Sequence, residues 1–242
     1  MEEDLTRRKA ELILGGGVRT PKGWKAPVRI SRSTAGPGAG TRGLVFRFSG
    51  MRVKKPISTD EGEFELQPHE NGLRLLRDGE VFIEEVEIEP VIFHSPGQAF
   101  FNLDQRCDFR CIFCASPSLG VEATKNLTPE SITEMVVEAS ERDDFVSVAL
   151  TSGVVGGVAA TVGRMARTVA LIRERLPWVT IGVEPYVDCE EQIWELRYAG
   201  ADEIKINVET PDADIFAKVC PDLDHENIHR MIEAAVEIFG RG

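Results

Sequence analysis

The chain has 242 residues, 42% of them hydrophobic, which is enough for a substantial core, and its 28 Lys and Arg against 40 Asp and Glu leave a formal net charge of −12 at pH 7. That composition excludes disordered and collagen-like classes, and no apolar run approaches the roughly 18 to 20 residues that cross a bilayer. The acidic start Met1-Glu2-Glu3-Asp4 is no secretory signal, so a cytoplasmic protein with no membrane partner is expected.

Charge is unevenly placed: residues 1–60 carry 13 basic against 5 acidic side chains, and residues 61–242 carry 15 against 35. The basic part lacks the interleaved aromatics of a single-strand binder and any DNA-reading motif, so no nucleic-acid partner is expected. It is read as docking on the acidic remainder or on an anionic partner. In chain order come a charged helix over 2–14, glycine loops at 15–17 and 36–40, and short strands at 44–48, 63–66, 73–76 and 81–88. Arg77-Asp78-Gly79-Glu80 reads as a hairpin turn between the last two. Neither glycine cluster is followed by the Lys and Ser or Thr of a P-loop, so both are read as loops. Residues 1–95 thus form a helix plus a small, mainly β appendage without an assigned role.

From residue 96 the order becomes regular. Strands at 98–103, 145–151, 179–185 and 201–209 alternate with helices at 129–141, 162–176, 189–198 and 225–239. Thr128 before Pro129, an Asp188–Glu191 capping box and Asp224 mark helix starts. Four βα units imply a parallel sheet with right-handed crossovers. Side-chain alternation puts Lys205, Asn207 and Glu209 on one face of the fourth strand, with Thr180, Gly182 and Glu184 on the matching face of the third and Ser147, Ala149 and Thr151 on that of the second. A polar face needs a wet interior, so residues 96–242 are expected to form an α/β partial TIM-type barrel of about four βα units. Chemistry in such folds sits at the carboxyl ends of the strands, which points to Asn102, Asp104, Thr151, Ser152, Glu184, Asn207 and Glu209.

Three of the five cysteines fall within eight residues, as Cys107-Asp108-Phe109-Arg110-Cys111-Ile112-Phe113-Cys114, just after the first of these strands. A C-x3-C-x2-C run can hold three irons of a cubane cluster and leave the fourth iron open. Structural zinc asks for four protein ligands, and the other candidates, His94, Cys189 and Cys220, are distant in sequence.

The cysteine run, its place after the first barrel strand and the aromatic Phe113 before its last cysteine resemble the radical S-adenosylmethionine (SAM) superfamily. Ile206-Asn207-Val208-Glu209-Thr210-Pro211 and Thr151-Ser152-Gly153 are similar to segments of lipoyl synthase and biotin synthase, and the chain most resembles biotin synthase-related proteins over about residues 98–242. The resemblance implies a [4Fe-4S] cluster on Cys107, Cys111 and Cys114, with SAM chelating the open iron through its amino and carboxylate groups. One electron from an electron donor such as ferredoxin or flavodoxin would then split the C–S bond and give a 5′-deoxyadenosyl radical, which abstracts hydrogen from a small-molecule or acyl substrate. It also implies Phe113 against adenine, Thr151, Ser152 and Gly153 near the methionyl end, Asn207 and Glu209 near the ribose, and Glu184 near SAM or substrate. Arg106 and Arg110 flank the loop and are candidates for favouring thiolates.

The chain departs from the lipoyl type in having no cysteine in residues 1–106, so sulfur insertion by this chain alone is not expected. An auxiliary site would have to draw on Cys189, Cys220 and His225, with or without a partner chain. Related barrels generally have six βα units, whereas residues 239–242, Phe-Gly-Arg-Gly, read as a helix stop where a fifth strand would begin. The expectation is a partial barrel whose missing strands come from a longer protein or a second chain. A cluster-binding subunit without catalysis of its own is the alternative function.

Overall fold

The computed structural model describes residues 2–28, 30–32, 42–70, 72–89, 93–95, 97–120 and 127–241. The chain divides into two compact units, Met1–Val91 and Ile92–Gly242. The glycine loop at 36–40 and the side chain of His94 lie outside the described residues.

The first unit begins with α1 (Glu2–Leu14) and continues through β1 (Val18–Arg19), β2 (Ser31–Arg32), β3 (Arg42–Phe48), β4 (Met51–Ser58), β5 (Phe64–His69), β6 (Gly72–Arg77) and β7 (Glu80–Glu89). The sheet order is β2-β3-β4-β1-β5-β6-β7, and a further antiparallel β3–β7 pairing closes six of these strands into a ring. Two hairpins turn through residues of positive φ, Asp78-Gly79 between β6 and β7 and Ser49-Gly50 between β3 and β4, the backbone that a type I′ turn requires. Strand β4 has no counterpart in the sequence reading because its text, Met-Arg-Val-Lys-Lys-Pro-Ile-Ser, carries three cations and a proline. Leu12, Val18, Leu44, Phe46, Phe64, Leu66 and Leu75 fill the core.

Lys55 is the unusual inward-facing residue, only 4% exposed. Its Nζ donates to Gly15 O (2.6 Å) and Ile13 O (3.3 Å), so the ammonium satisfies carbonyls at the carboxyl end of α1, where the helix dipole favours a cation. Burial lowers the Lys55 pKa, and the Glu63 carboxylate works against that shift. Replacing Lys55 by Met should therefore cost on the order of 2 kcal/mol, because buried carbonyls lose charged donors. Urea unfolding of the full chain checks this, and an unchanged midpoint would contradict it.

The second unit contains β8 (Phe93–Ser95), β9 (Gln98–Asn102), α2 (Pro129–Ser140), β10 (Ser147–Thr151), α3 (Val158–Arg175), β11 (Thr180–Glu184), α4 (Glu190–Ala199), β12 (Glu203–Ile204), α5 (Ala213–Val219) and α6 (His225–Phe239), with a 3-10 turn at Ser116–Ser118. Its sheet order is β12-β11-β10-β9-β8, with β9 to β12 parallel and β8 antiparallel at the edge. The four βα units of the partial barrel are present. Ala99, Phe101, Val148, Leu150, Ile181 and Val183 face the helices and pack on Ile132, Val136, Met165, Val169, Ile193 and Met231.

Helix starts follow the capping chemistry at two of three places. Thr128 accepts from Ser131 N, and Asp224 accepts from Asn227 N. At the third the expected box is corrected: Asp188 pairs with Gln192, Nε2 to Oδ1 at 2.6 Å and Asp188 N to Oε1 at 2.9 Å, not with Glu191. Cys189 takes the N-cap position without a side-chain cap bond.

Two strand expectations are also corrected. Val146 precedes β10 and is 66% exposed, so it does not join the helix-facing row. The fourth strand keeps only Glu203–Ile204 in its ladder, and Lys205 N adds one bond to Val183 O before the chain leaves the sheet. Asn207 and Glu209 therefore lie beyond the ladder, yet the alternation of faces persists: Lys205, Asn207 and Glu209 are exposed, while Ile204, Ile206 and Val208 pack inward. Helix α5, unforeseen from the sequence, follows that loop and is capped by Asp212 at Ile215 N.

Candidate functional site

The loop after β9 carries Cys107, Cys111 and Cys114, all half-buried. It is fastened from three directions, by the segments that follow β10, β11 and α5. On the β10 side, Asp108 N donates to Val154 O (2.7 Å), Val154 N to Cys107 Sγ (3.4 Å) and Gly156 N to Asp108 Oδ2 (2.9 Å). On the β11 side, Phe109 meets Tyr186 edge to face, with ring centroids 5.0 Å apart. On the far side of α5, Arg110 makes three bonds to the Asp222 carboxylate, from its backbone N (2.7 Å), Nε (3.0 Å) and an Nη (2.5 Å), and Ile112 N donates to Val219 O (2.9 Å).

Gly153 is where the loop and the β10 end come closest. Its N donates to Asp104 O (2.8 Å). A Cβ there would overlap the Arg106 carbonyl oxygen and stand 2.8 Å from the carbonyl carbon and 3.2 Å from Cys107 Cβ. Its φ lies outside the left-handed region, so close approach of backbone, not conformation, demands glycine.

The last residues of three strands form a row in register, Asn102 beside Thr151 and Thr151 beside Glu184. Thr151 Oγ1 donates to Glu184 O (3.3 Å), and Glu184 Oε1 accepts from Lys205 Nζ (3.2 Å). Asn102 Oδ1, at the carboxyl end of β9, is buried and has no hydrogen-bond partner, an acceptor that a ligand donor would satisfy. Ser152 Oγ turns back on Gly153 O (2.8 Å), leaving the Ser152 hydroxyl committed locally. Phe113 is 46% exposed in the cysteine loop. Glu209 is exposed, yet close enough to raise the Cys220 pKa.

Several sequence expectations change here. Arg110 serves as a strap held by Asp222, which raises the pKa of Arg110 while its own falls, and so does not act as a free cation beside the thiols. Arg106 stands 3.8 Å from Asp104, whose carboxylate also accepts from Arg106 N (3.0 Å). Cys189, Cys220 and His225 are not brought together as an auxiliary site. Cys220 packs against Cys111, whereas the His225 ring contacts Phe216 and His229 and bonds Thr210 O (3.1 Å). Among the described residues, no three His, Cys, Asp or Glu side chains converge on a single ion. Asp222, Val219, Tyr186 and Asp108 were not anticipated as loop anchors; the pairing of Arg110 with an aspartate 112 residues away has no local signal.

The donor set has the chemistry for iron. Burial, with the sulfurs of Cys220, Cys107 and Cys114 behind it, pushes the Cys111 thiol up to about 12. Coordination to iron would favour the deprotonated form that burial opposes, since a cation holds thiolates directly. A sequence profile of the radical SAM superfamily matches residues 102–241, from the end of β9 through α6. The chain belongs to the radical SAM superfamily.

Enzymes of this superfamily use a [4Fe-4S] cluster and S-adenosylmethionine, and they take a substrate and a reductant. Among solved structures, the chain is similar to methylornithine synthase (PylB), with 20% identity and a TM-score of 0.50 over 58% of this chain and 41% of that one. At that identity the likeness shows the fold, the α/β partial barrel of radical SAM proteins. No curated protein matches the sequence. Among the described residues, no helix is long and apolar enough to cross a membrane.

Proposed function

We propose that Cys107, Cys111 and Cys114 hold three irons of a [4Fe-4S] cluster, and that this chain is a radical SAM enzyme of the hydrogen-abstracting type. The observation that carries the reading is the cysteine loop itself, pinned across the carboxyl ends of parallel strands by a glycine that no other residue could replace without moving it. Cluster and SAM together would supply the reductive C–S cleavage and the radical that takes hydrogen from carbon.

The protein residues position and shield. The exposed ring of Phe113 is suited to an adenine face. The Gly153 segment offers backbone beside Cys107 for the methionyl end. Asn102 Oδ1 is an acceptor for a ligand N–H or O–H, and Thr151 and Glu184 continue that polar row. Asn207 and Glu209, on the loop after β12, are assigned to the ribose hydroxyls, a role supported by the resemblance of residues 206–211 to biotin and lipoyl synthases. The substrate is a small molecule or acyl chain, the donor a ferredoxin or flavodoxin, and the compartment the reducing cytoplasm, in keeping with five free cysteines.

A second reading, a cluster-bearing chain that needs a partner for catalysis, is favoured by β12, which among the described residues is paired on one side only. One assay separates the two. Reconstituted protein given reductant and SAM should release 5′-deoxyadenosine, with none from Cys114→Ala. A wild-type cluster with no product at any protein concentration would favour the second reading.

A further inference from the structure

The fourth cysteine near the loop, Cys220, is fully buried and has no part in the ligand set. Its position is set by a bracket. Arg110 is bonded to Asp222 and Ile112 to Val219, two antiparallel contacts that flank Cys111 on one segment and Cys220 on the other. Cys111 accordingly packs on the small core of Phe216, Cys220 and Ile228 that lies behind the loop.

We infer that Cys220 is a positioning residue for Cys111, whose thiol S–H donates a hydrogen bond to the Cys111 sulfur when that sulfur is bound to iron and so sets the reduction potential of the cluster. The inference rests on the cluster reading above. The two side chains are hydrogen-bonded to each other, and an ordinary cysteine thiol carries its proton at neutral pH. A sulfur bound to iron carries no proton, so the one proton left in the pair belongs to Cys220, and in this small, mainly apolar core the Cys111 sulfur is its side-chain hydrogen-bond partner. A donor to a ligand sulfur stabilises the more negative, reduced cluster, which is one of the levers by which proteins set such potentials.

The test is a redox titration of the reconstituted full chain, followed by EPR, for wild type, Cys220→Ala, Cys220→Val and Cys220→Ser, each with its iron content. Alanine and valine both lack a donor but differ in volume. Both should shift the potential to more negative values, by a threefold to tenfold loss in the one-electron reduction equilibrium, the larger equal to about 59 mV. Serine restores a donor and should hold the wild-type potential or exceed it.

Equal potentials in all four proteins, or equal falls in all three variants, would overturn the inference, the latter because packing alone would then explain the change. If alanine and valine do not retain the cluster, serine decides: a potential at or above wild type sustains the inference, and a fall overturns it. A wild-type chain that takes up no iron-sulfur cluster removes the underlying reading as well, so the two failures are distinct.

Discussion

Anaerobic reconstitution of Cys111→Ala should leave most of the iron unbound, against about four irons per wild-type chain with matching labile sulfide. Cys111 is the central cysteine of the run, and the two bonded pairs on either side of it, Arg110–Asp222 and Ile112–Val219, fix its backbone. Removing it leaves Cys107 and Cys114, seven positions apart, with no third ligand between them to close a cubane. The substitution lies in a loop, outside the ladders and helices of the barrel, so far-UV circular dichroism should stay at wild type while the iron content collapses. Four irons retained in Cys111→Ala would mean that the cysteine run is not the cluster site.

Gly153→Ala should be the most damaging single-methyl change in the second unit. The added carbon overlaps the Arg106 carbonyl and crowds Cys107 Cβ, and neither neighbour is the end of a flexible side chain. Relief requires the start of the cysteine loop to move, which breaks the Gly153 N to Asp104 O and Val154 N to Cys107 Sγ bonds together. The expected cost is about 1 to 3 kcal/mol in stability, with a large loss of cluster because the first ligand is displaced. Gly163 is the control: on α3 a Cβ would meet only Glu195 Oε1 at 3.7 Å, so Gly163→Ala should be neutral or stabilising by up to about 1 kcal/mol. Denaturant midpoints and iron content of the two variants check the contrast.

The parts legible in the sequence were those written locally. Period and capping residues placed α1, α2, α4 and α6 within a residue or so of their ends, and the alternation of strand and helix gave the parallel sheet of the second unit. The cysteine spacing marked the site loop, because three ligands in eight residues need no distant partner to be recognised. What was hidden depends on contacts across the chain. Lys55 sits in a strand that its own charge disguised, and only the carboxyl end of α1 explains why a cation points inward. The residues 201–209 alternate like a strand, yet the chain leaves β11 after one further bond, because alternation states which faces differ and not whether a neighbour is there to pair with. The Asp222 strap and the Cys111–Cys220 contact join segments about 110 residues apart, beyond the reach of any local pattern.

The most direct test of a cluster that takes SAM at an open iron is EPR of the reduced, reconstituted wild-type protein before and after SAM is added. The account predicts a [4Fe-4S] signal whose g-values move on addition of SAM, because the ligand binds the iron that the three cysteines leave free. A chain that takes up zinc without labile sulfide, or a cluster signal indifferent to SAM, would contradict it.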